Sequence, residues 1–300
     1  MAGMRVAVTG ASGLIGTALT THLRTRGDEV VSFVRRRPRS PAERPWEPTP
    51  GGMDPAHLAD IDAVVHLAGA GVGAKRWTAA YKKKILHSRV DGTTAVAEAI
   101  AAADRPIRLV SGSAVGFYGD RGDELLDESS APGIGFLADV VRAWESATAA
   151  AAESGAPVAC IRTGLVMAQD GGAFEQLVTL ARLGLGGPLG NGRQWWPWIT
   201  LPDHVRAVAH LLDRPEITGP VNLVGPAAAT QRDVATAIAR AFHRPALLPA
   251  PAIALRAALG EFAEDILGSQ RATPGVLTRT GFRHEHPTLF TAVDWLTRSR

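Results

Sequence analysis

The sequence predicts an α/β protein with a doubly wound parallel sheet and a smaller, interleaved C-terminal domain. Over the first half of the chain, short apolar stretches typical of buried strands alternate with segments of helical composition. The first strand, over residues 5–8, is joined by a glycine-rich turn to a helix over residues 17–26. Because parallel strands need crossover connections, this alternation favours a sheet with helices on both faces.

Composition limits the classes of protein to which the chain can belong. It has 300 residues, 46% hydrophobic and 20% charged, as is typical of globular domains. A net charge of +3 does not support nucleic-acid binding, and no apolar run is long enough to predict a membrane span. The single cysteine, Cys160, excludes an internal disulfide framework, so we expect a cytoplasmic protein. No His, Cys and carboxylate cluster has metal-ligand spacing, and we predict no metal site.

Three glycines in the first turn are spaced as in a dinucleotide-binding loop. Gly10, Gly13 and Gly16 allow a tight turn, close approach of a pyrophosphate, and packing of the helix against the strand. The N–H groups at the start of the helix then face the phosphates. A preceding strand and a following helix are the context that this motif requires. We therefore predict that a dinucleotide is bound by Gly10, Ala11, Ser12, Gly13, Leu14, Ile15 and Gly16.

Basic residues follow the second predicted strand, over residues 29–34. An acidic residue at this place would accept hydrogen bonds from the 2′-hydroxyl of NAD, whereas the sequence has Arg35, Arg36 and Arg37. Guanidinium groups pair well with a phosphate, so Arg35 and Arg36 are predicted to bind the 2′-phosphate of NADP(H). The alternative is a solvated basic cluster before a loop over residues 38–55, which is rich in Pro and Gly.

The next strand, over residues 61–69, ends in small residues. Ligands bind outside the carboxyl ends of such strands, so Leu67, Ala68 and Gly69 are expected to contact the cofactor. His66 is expected to be a core histidine rather than a catalyst. In the following helix, over residues 79–103, Lys84 and Arg89 are candidates for contact with a phosphate or the carboxamide, the alternative being a solvated face.

A further strand and turn, over residues 107–119, bring Ser111, Ser113 and Tyr118 to the same edge of the sheet. We predict that Ser111 contacts the cofactor. A helix over residues 136–153 and a strand beginning near residue 157 continue the alternation. Leu165, near the end of that strand, is also expected to contact the cofactor, and Cys160 within the strand is expected to be buried.

The remainder of the chain has a different character. Glycines and Trp195, Trp196 and Trp198 over residues 182–199 indicate either a loop around a ligand or core packing. Asp203 is predicted to cap a helix, and residues 221–225 are predicted to form a strand. Three more helices are predicted, over residues 230–242, 251–267 and 288–298. The predicted domains are residues 1–165, completed by 200–225, for the dinucleotide, and 166–300 for the substrate.

Four motifs, TGASGLIG, HLAG, SGSAVGFYG and PWITLPDHV, occur in this order, and with them the chain resembles the extended short-chain dehydrogenases/reductases. Two further stretches, GLGGPLGNGRQWWPWI and ILGSQRATPGVLTRTGF, resemble the epimerase family subgroup called short-chain dehydrogenase/reductase family 39. The resemblance covers essentially the whole chain. It implies a Rossmann domain with an interleaved C-terminal substrate domain, and NADP(H) as cofactor. It also implies that Ser113 hydrogen-bonds the substrate.

One departure from the larger superfamily concerns proton transfer. Its members use a Tyr-x-x-x-Lys pair on the helix after the serine strand, where the Lys lowers the pKa of the Tyr. In this chain the corresponding places are Leu137 and Val141, the tyrosines are Tyr81 and Tyr118, and no lysine follows Lys84. We therefore predict that Ser113 positions the substrate and that Tyr118 donates the proton. The alternative is that Tyr118 only packs beneath the cofactor.

Two functions remain open from the sequence. The first is an NADP(H)-dependent oxidoreductase or epimerase that acts on a small polar substrate, with nucleotide sugars suggested by fold-level analogy. The second is a non-catalytic NADPH-binding regulatory protein, for which loss of the Tyr and Lys pair reflects loss of the reaction.

Overall fold

The computed structural model describes residues 3–298, so the first two and last two residues of the predicted domain ranges lie outside it. The chain divides into two compact units. The described residues of the first unit are 3–113, 140–161 and 205–221, and those of the second are 114–139, 162–204 and 222–298. Each unit is therefore assembled from three separate segments of the chain.

The structure contains a seven-stranded parallel sheet and three two-stranded sheets. The thirteen strands are β1 Arg5–Thr9, β2 Glu29–Val34, β3 Glu43–Pro45, β4 Ala63–His66, β5 Arg108–Ala114, β6 Leu125–Leu126, β7 Val158–Thr163, β8 Leu165–Met167, β9 Trp195–Trp196, β10 Trp198–Thr200, β11 Gly219–Leu223, β12 Ala229–Thr230 and β13 Arg271–Ala272.

Eleven α-helices connect and follow these strands. They are α1 Leu14–Arg26, α2 Ala79–Ala101, α3 Phe136–Ser146, α4 Ala149–Glu153, α5 Ala173–Arg182, α6 Leu201–Leu212, α7 Gln231–Ala241, α8 Ala252–Leu259, α9 Phe262–Leu267, α10 Gly275–Arg279 and α11 Leu289–Arg298. Two short 3₁₀ turns, Pro55–Leu58 and Val115–Tyr118, complete the regular structure of the described residues. None of the helices within residues 3–298 is both long and apolar enough to cross a bilayer.

Strand order places the predicted cofactor loop at a reversal in the sheet. The order is β11, β7, β5, β4, β1, β2 and β3, so the chain moves outward from β1 in one direction and then in the other. β1 pairs in parallel with both β2 and β4. In open α/β sheets, ligands bind at such a switch point, beyond the carboxyl ends of the strands.

The strands form because their side chains are apolar on both faces. In β1 and β4, Val6, Ala7, Val8, Val64 and Val65 have no exposed area. Such continuous burial is typical of parallel strands covered by helices on both sides. α2 covers one face of the first unit, where Val96 and Ile100 join the same apolar cluster as Ala7 and Val64.

A separate apolar core forms within the second unit. Phe174 and Val178 of α5, Trp198 of β10, Val234 of α7 and Val293 of α11 pack in one cluster. Trp198 is 1% exposed and Trp196 is 8% exposed, which confirms the core-packing interpretation for these two tryptophans. Cys160 is buried in the core of the first unit, as expected.

Several predicted elements differ from the observed ones. The predicted irregular loop over residues 38–55 contains β3, which adds an edge strand beside β2. The helix predicted over 136–153 is divided into α3 and α4, and the one over 251–267 into α8 and α9. Two helices, α5 and α10, were not predicted. Their sequences begin after Gly172 and Pro274, residues that also mark loops, so composition alone did not distinguish them.

The role predicted for Asp203 is wrong. It lies inside the first turn of α6 and not before the helix. Its carboxylate accepts hydrogen bonds from the backbone N–H groups of Glu285 at 2.6 Å and His286 at 3.0 Å, and from the Thr200 hydroxyl at 3.1 Å. The Thr200 hydroxyl in turn accepts from the Asp203 N–H at 3.4 Å. Asp203 therefore fixes a distant loop of the second unit, a contact that local sequence does not reveal.

Candidate cofactor and substrate site

The glycine turn has the geometry that its spacing predicts. Gly10 has a φ of +69°, a left-handed conformation that favours glycine. A Cβ at Gly16 would lie 2.1 Å from the Gly10 carbonyl oxygen, so only glycine allows α1 to approach the turn. A Cβ at Gly13 would meet that oxygen at 3.4 Å and no other atom within 4 Å. The turn thus has no room for a side chain at Gly16, where α1 packs against it, but it has free space beside Gly13.

The first turn of α1 presents backbone N–H groups that have no hydrogen-bond partner within residues 3–298. Gly13 is the N-cap, and no side chain accepts a hydrogen bond from the helix start. The Gly13 N–H donates to the Gly10 carbonyl at 3.0 Å, and the next such bond runs from Thr17 to the Gly13 carbonyl at 2.8 Å. Between these two hydrogen bonds lie the backbone N–H groups of Leu14, Ile15 and Gly16, which donate to no acceptor within residues 3–298. Orphan N–H groups at a helix start attract phosphate, so the residues present fit the pyrophosphate of a dinucleotide.

At the end of β2, the structure reveals an acidic residue that the sequence did not indicate. The Arg36 guanidinium makes a bidentate ion pair with Glu43 of β3, with distances of 2.5 and 2.8 Å. The pair lowers the pKa of Glu43 to about 2. Arg35 is exposed and makes no hydrogen bond or ion pair within residues 3–298. Glu43 reaches Arg36 through the β2–β3 pairing, which local sequence does not show.

The small residues after β4 lie against the glycine turn. A Cβ at Gly10 would be 2.9 Å from the Ala68 N and the Leu67 carbonyl carbon. The Thr9 hydroxyl accepts from the Leu67 N–H at 3.2 Å and lies 2.8 Å from His66 Nδ1. His66 is fully buried, and burial lowers its pKa to about 4, so the ring is neutral. Residues 67–69 are therefore held beside the turn, as their predicted role requires.

Lys84 and Arg89 of α2 have different environments. Lys84 is exposed. Arg89 lies 4.9 Å above the centre of the Trp144 ring and donates to the carbonyl of Ala70 at 2.9 Å and of Ile85 at 3.2 Å. Burial lowers the pKa of Arg89 to about 10, which leaves it charged at neutral pH. Arg89 thus fixes the segment that follows Gly69.

Ser111 and Ser113 lie at the end of β5, beside β4. Ser111 pairs with His66 in the sheet and is fully buried, with its hydroxyl 3.4 Å from the Gly112 carbonyl. The Ser113 hydroxyl donates to Glu145 of α3 at 2.6 Å. A Cβ at Gly112 would lie 2.7 Å from the Trp144 ring, so glycine permits α3 to approach β5. The structure thereby joins Ser113 to a carboxylate 32 residues further along the chain, a contact that depends on the folded structure.

Tyr118 belongs to the second unit, where it is the centre of a buried network. Its side chain has no exposed area, and its hydroxyl lies 2.7 Å from Asn222 Oδ1 and 2.9 Å from the Asp127 carbonyl oxygen. The hydroxyl also accepts from Arg162 Nη1 at 3.0 Å. Burial raises the pKa of Tyr118. The Tyr118 hydroxyl is thus held by three partners of the second unit.

Leu165, also in the second unit, is the first residue of β8. Its N–H donates to the Pro197 carbonyl at 2.7 Å, and it pairs with Trp198 of β10. Leu137 and Val141, which occupy the places of the superfamily Tyr and Lys, both lie in α3, and Val141 is buried. Within the described residues no cluster of His, Cys, Asp and Glu is arranged to bind a metal.

Comparison with known proteins identifies the family. A model of the NAD dependent epimerase/dehydratase family matches residues 6–225. The chain belongs to this family. A second model, described as a domain of unknown function, matches residues 250–296. The resemblance that the sequence motifs indicated is thus confirmed.

The relatives extend this match over the whole chain. An epimerase family protein of Mycobacterium bovis is 43% identical over 298 residues, 99% of each chain. The crystal structure of human epimerase family protein SDR39U1 with NADPH has a TM-score of 0.90 and 32% identity, and covers 99% of this chain and 100% of the human chain. A nucleoside-diphosphate sugar epimerase of Corynebacterium glutamicum has a TM-score of 0.81 and 35% identity, over 97% of this chain and 57% of its own.

Proposed function

We propose that this protein binds NADP(H) and uses it as an oxidoreductase or epimerase on a small polar substrate. The observation that supports the cofactor most directly is the glycine turn, with its unpartnered amides at the start of α1. The human relative solved with NADPH supports the same cofactor. When bound, the nicotinamide supplies hydride transfer.

The turn over residues 10–16 would hold the pyrophosphate, and the segment over residues 67–69 would face the cofactor beside it. Arg35 would pair with the 2′-phosphate, with Arg36 contributing through the donors that Glu43 does not use. Lys84, Arg89, Ser111 and Leu165 complete the proposed set of cofactor residues. Arg89 would act by holding the segment after Gly69 in place, because its guanidinium already donates to backbone carbonyls.

Ser113 is the proposed substrate-positioning residue, and Tyr118 the proton donor predicted from sequence. The hydrogen bond from Ser113 to Glu145 suggests a second route for the proton. When the serine hydroxyl accepts a proton from a substrate alcohol, it can pass its own proton to the carboxylate to which it is hydrogen-bonded. We include Glu145 in the proposal for this reason.

The proposed substrate is a small polar molecule of the nucleotide-sugar class, and the similarity to the nucleoside-diphosphate sugar epimerase of Corynebacterium glutamicum supports this choice. We propose that residues 1–165, with 200–225, bind the cofactor and that residues 166–300 bind the substrate. A cytoplasmic location is also part of the proposal, since a single cysteine suits a reducing compartment.

The second candidate is a regulatory protein that binds NADPH without turnover. It is favoured by one observation, the replacement of the superfamily Tyr and Lys places by Leu137 and Val141. The two candidate functions imply the same affinity for the cofactor. They differ only in whether the bound cofactor takes part in a reaction.

Turnover measurements separate the two candidates. The wild-type protein would be assayed for oxidation of NADPH, and for epimer formation, across a panel of aldehydes, ketones and nucleotide sugars. We expect substrate-dependent turnover that falls by about 10²-fold or more in Ser113→Ala and Glu145→Gln, since general acid–base groups contribute that much. Asp139→Asn, in the same helix, is the control. Tight NADPH binding without turnover on the whole panel would favour the regulatory protein.

A further inference from the structure

One surface of the second unit is formed by two chain segments, residues 182–190 at the end of α5 and residues 240–250 at the end of α7. The segments lie side by side, because the Gly190 N–H donates to the Ala250 carbonyl and the Ala250 N–H donates to the Pro188 carbonyl, both at 2.8 Å. Residues of both segments, together with residues of α5 and α7, also line one shallow groove. We call the surface of these two segments the leucine–arginine patch.

The leucines of this patch are exposed. Leu183, Leu185, Leu247 and Leu248 are each between 51% and 74% exposed. The chain then continues into α8, none of whose eight described residues is buried although seven of them are alanine, isoleucine or leucine. Single exposed apolar side chains are common, whereas a contiguous group of large ones marks a surface that contacts an apolar partner or a membrane.

The patch is also basic. Arg182, Arg240 and Arg244 are exposed, and none of the three forms an ion pair within residues 3–298. The two segments contain no Asp or Glu. The Arg182 guanidinium lies 5.2 Å from the centre of the Phe242 ring, and the Arg244 Cδ lies 3.8 Å from the place that a Cβ at Gly184 would occupy. The uncompensated cations therefore lie among the residues of the same two segments.

This charge distinguishes between possible occupants of the patch. In a dimer with a two-fold axis, the same surface lies on both sides of the interface. Arginines of one copy would then face arginines of the other, with no carboxylate in either patch to pair with them. An anionic lipid bilayer has phosphate groups at its surface and hydrocarbon beneath them, which match the arginines and the protruding leucines. Attachment of this kind needs no membrane-spanning helix.

We propose that the leucine–arginine patch docks the protein on the surface of an anionic phospholipid membrane. The leucine side chains enter the boundary between headgroups and acyl chains, and the arginines bind the phosphate groups around them. None of the proposed cofactor residues lies in either segment. The docking surface is therefore independent of the cofactor site, and it serves the protein whether or not it is an enzyme.

Sedimentation with lipid vesicles tests this proposal on the whole chain. Vesicles of phosphatidylcholine would be compared with vesicles of phosphatidylcholine and phosphatidylglycerol in equal parts. We expect binding to the anionic vesicles to be at least about tenfold stronger than binding to the neutral ones. This difference should disappear at about 1 M salt, since screening then confines electrostatic attraction to very short distances.

Variants of the patch show whether it is the binding surface. We expect Arg244→Gln to weaken binding to the anionic vesicles by about fivefold, and Leu247→Ser by about tenfold, because a phosphate contact or a buried apolar side chain is lost. Arg193→Gln and Ile134→Ser, at exposed positions outside the two segments, are the matched controls and should bind like the wild type. Thermal unfolding would check that all four variants fold.

Three outcomes would overturn the proposal. The first is no binding to the anionic vesicles, and the second is equal binding by the patch variants and the wild type. The third is a dimer in sedimentation equilibrium that Leu247→Ser dissociates, without vesicle binding, which would assign the patch to a second copy of the chain. Binding to polyglutamate in place of the vesicles would count against the membrane in the same way and favour an acidic protein. Loss of NADPH binding would contradict the proposed function and leave these vesicle results unchanged.

Discussion

At the level of single residues, the largest difference between the structure and the sequence-based expectation is the net charge at the end of β2. Three arginines follow this strand, yet Arg36 is already neutralised by Glu43 at 2.5 Å. Arg35 has no such partner among the described residues. The 2′-phosphate preference should therefore depend mainly on Arg35, although the two arginines are adjacent and look equivalent in the sequence.

This difference gives a testable ranking of two variants. We expect Arg35→Ala to weaken NADPH binding by about tenfold, since one charge-assisted contact is lost, and to leave NADH binding unchanged. Arg36→Ala should have a smaller effect, and Glu43→Gln should strengthen NADPH binding because it removes a competing carboxylate. Calorimetric titration of both cofactors would measure all three. An equal loss in Arg35→Ala and Arg36→Ala would refute this division of roles.

Replacing each of the two tyrosines by phenylalanine tests how much the hydrogen-bond network around Tyr118 contributes to stability. Tyr118→Phe leaves Arg162, Asn222 and the Asp127 carbonyl without their shared partner, and should lower the free energy of unfolding by about 1–3 kcal/mol. Tyr81→Phe removes a hydroxyl that, among the described residues, donates one hydrogen bond, to the Gly71 carbonyl at 2.6 Å, and it should lower the free energy of unfolding less. Denaturant unfolding measures both. Unchanged stability together with lost turnover in Tyr118→Phe would instead support its catalytic role.

At the level of elements, the glycine turn separates folding from ligand binding. Gly16→Ala would place a Cβ 2.1 Å from the Gly10 carbonyl oxygen, so we expect loss of soluble protein or a severe loss of stability. Gly13→Ala meets that oxygen only at 3.4 Å and should fold. Its methyl group faces the open side of the turn, so it should weaken NADPH binding. Thermal unfolding with and without NADPH would compare them, and tight binding by Gly13→Ala would contradict the proposed pyrophosphate position.

Elements with a strong local pattern were predictable from sequence. β2 has the predicted limits, Glu29–Val34, and β1, β4, β5 and β7 lie within or one residue beyond the predicted stretches, because buried parallel strands are continuously apolar. The turn before α1 was predictable because glycine alone satisfies its backbone. α5, β3 and the division of α3 from α4 were not, because tertiary contacts rather than local composition determine them.

The candidate site was likewise predictable where local sequence positions its residues, and not where distant segments meet. Residues of the glycine turn and of the segment after β4 are positioned by their own strands, and their neighbours follow from the fold. Glu43 beside Arg36, Glu145 beside Ser113 and Asp203 beside Glu285 depend on contacts between segments 7, 32 and 82 residues apart. Such pairs form only in the folded chain, which is why local sequence does not indicate them.

At the level of the whole molecule, two buried histidines make stability depend on pH. Burial lowers the pKa of His66 and of His204 to about 4, below the usual histidine value of 6.5. Between these values the unfolded chain binds more protons than the folded one, so the free energy of unfolding falls as pH decreases from 6.5 toward 4. Each histidine accounts for as much as about 3 kcal/mol of this loss.

Denaturant unfolding between pH 5 and 7 checks this prediction by comparing variants, because Asp265, whose pKa burial raises to about 6, titrates in the same range with the opposite effect on stability. His66→Asn retains an amide near the Thr9 hydroxyl and should reduce the slope of the free energy of unfolding against pH. His87→Asn, at an exposed histidine of α2, is the substitution control. A slope that is identical in wild type and His66→Asn would show that the buried ring does not titrate as proposed.

Preferential binding of NADP(H) at the glycine turn and Arg35 is tested most directly by the stabilisation of the folded protein by NADPH and by NADH. Ligand that binds only the folded state raises its stability in proportion to the logarithm of concentration over Kd. At equal, saturating concentrations of the two cofactors, we expect a clearly larger increase in Tm with NADPH than with NADH. An increase with NADPH that is no larger than with NADH, or no increase with either, would contradict it.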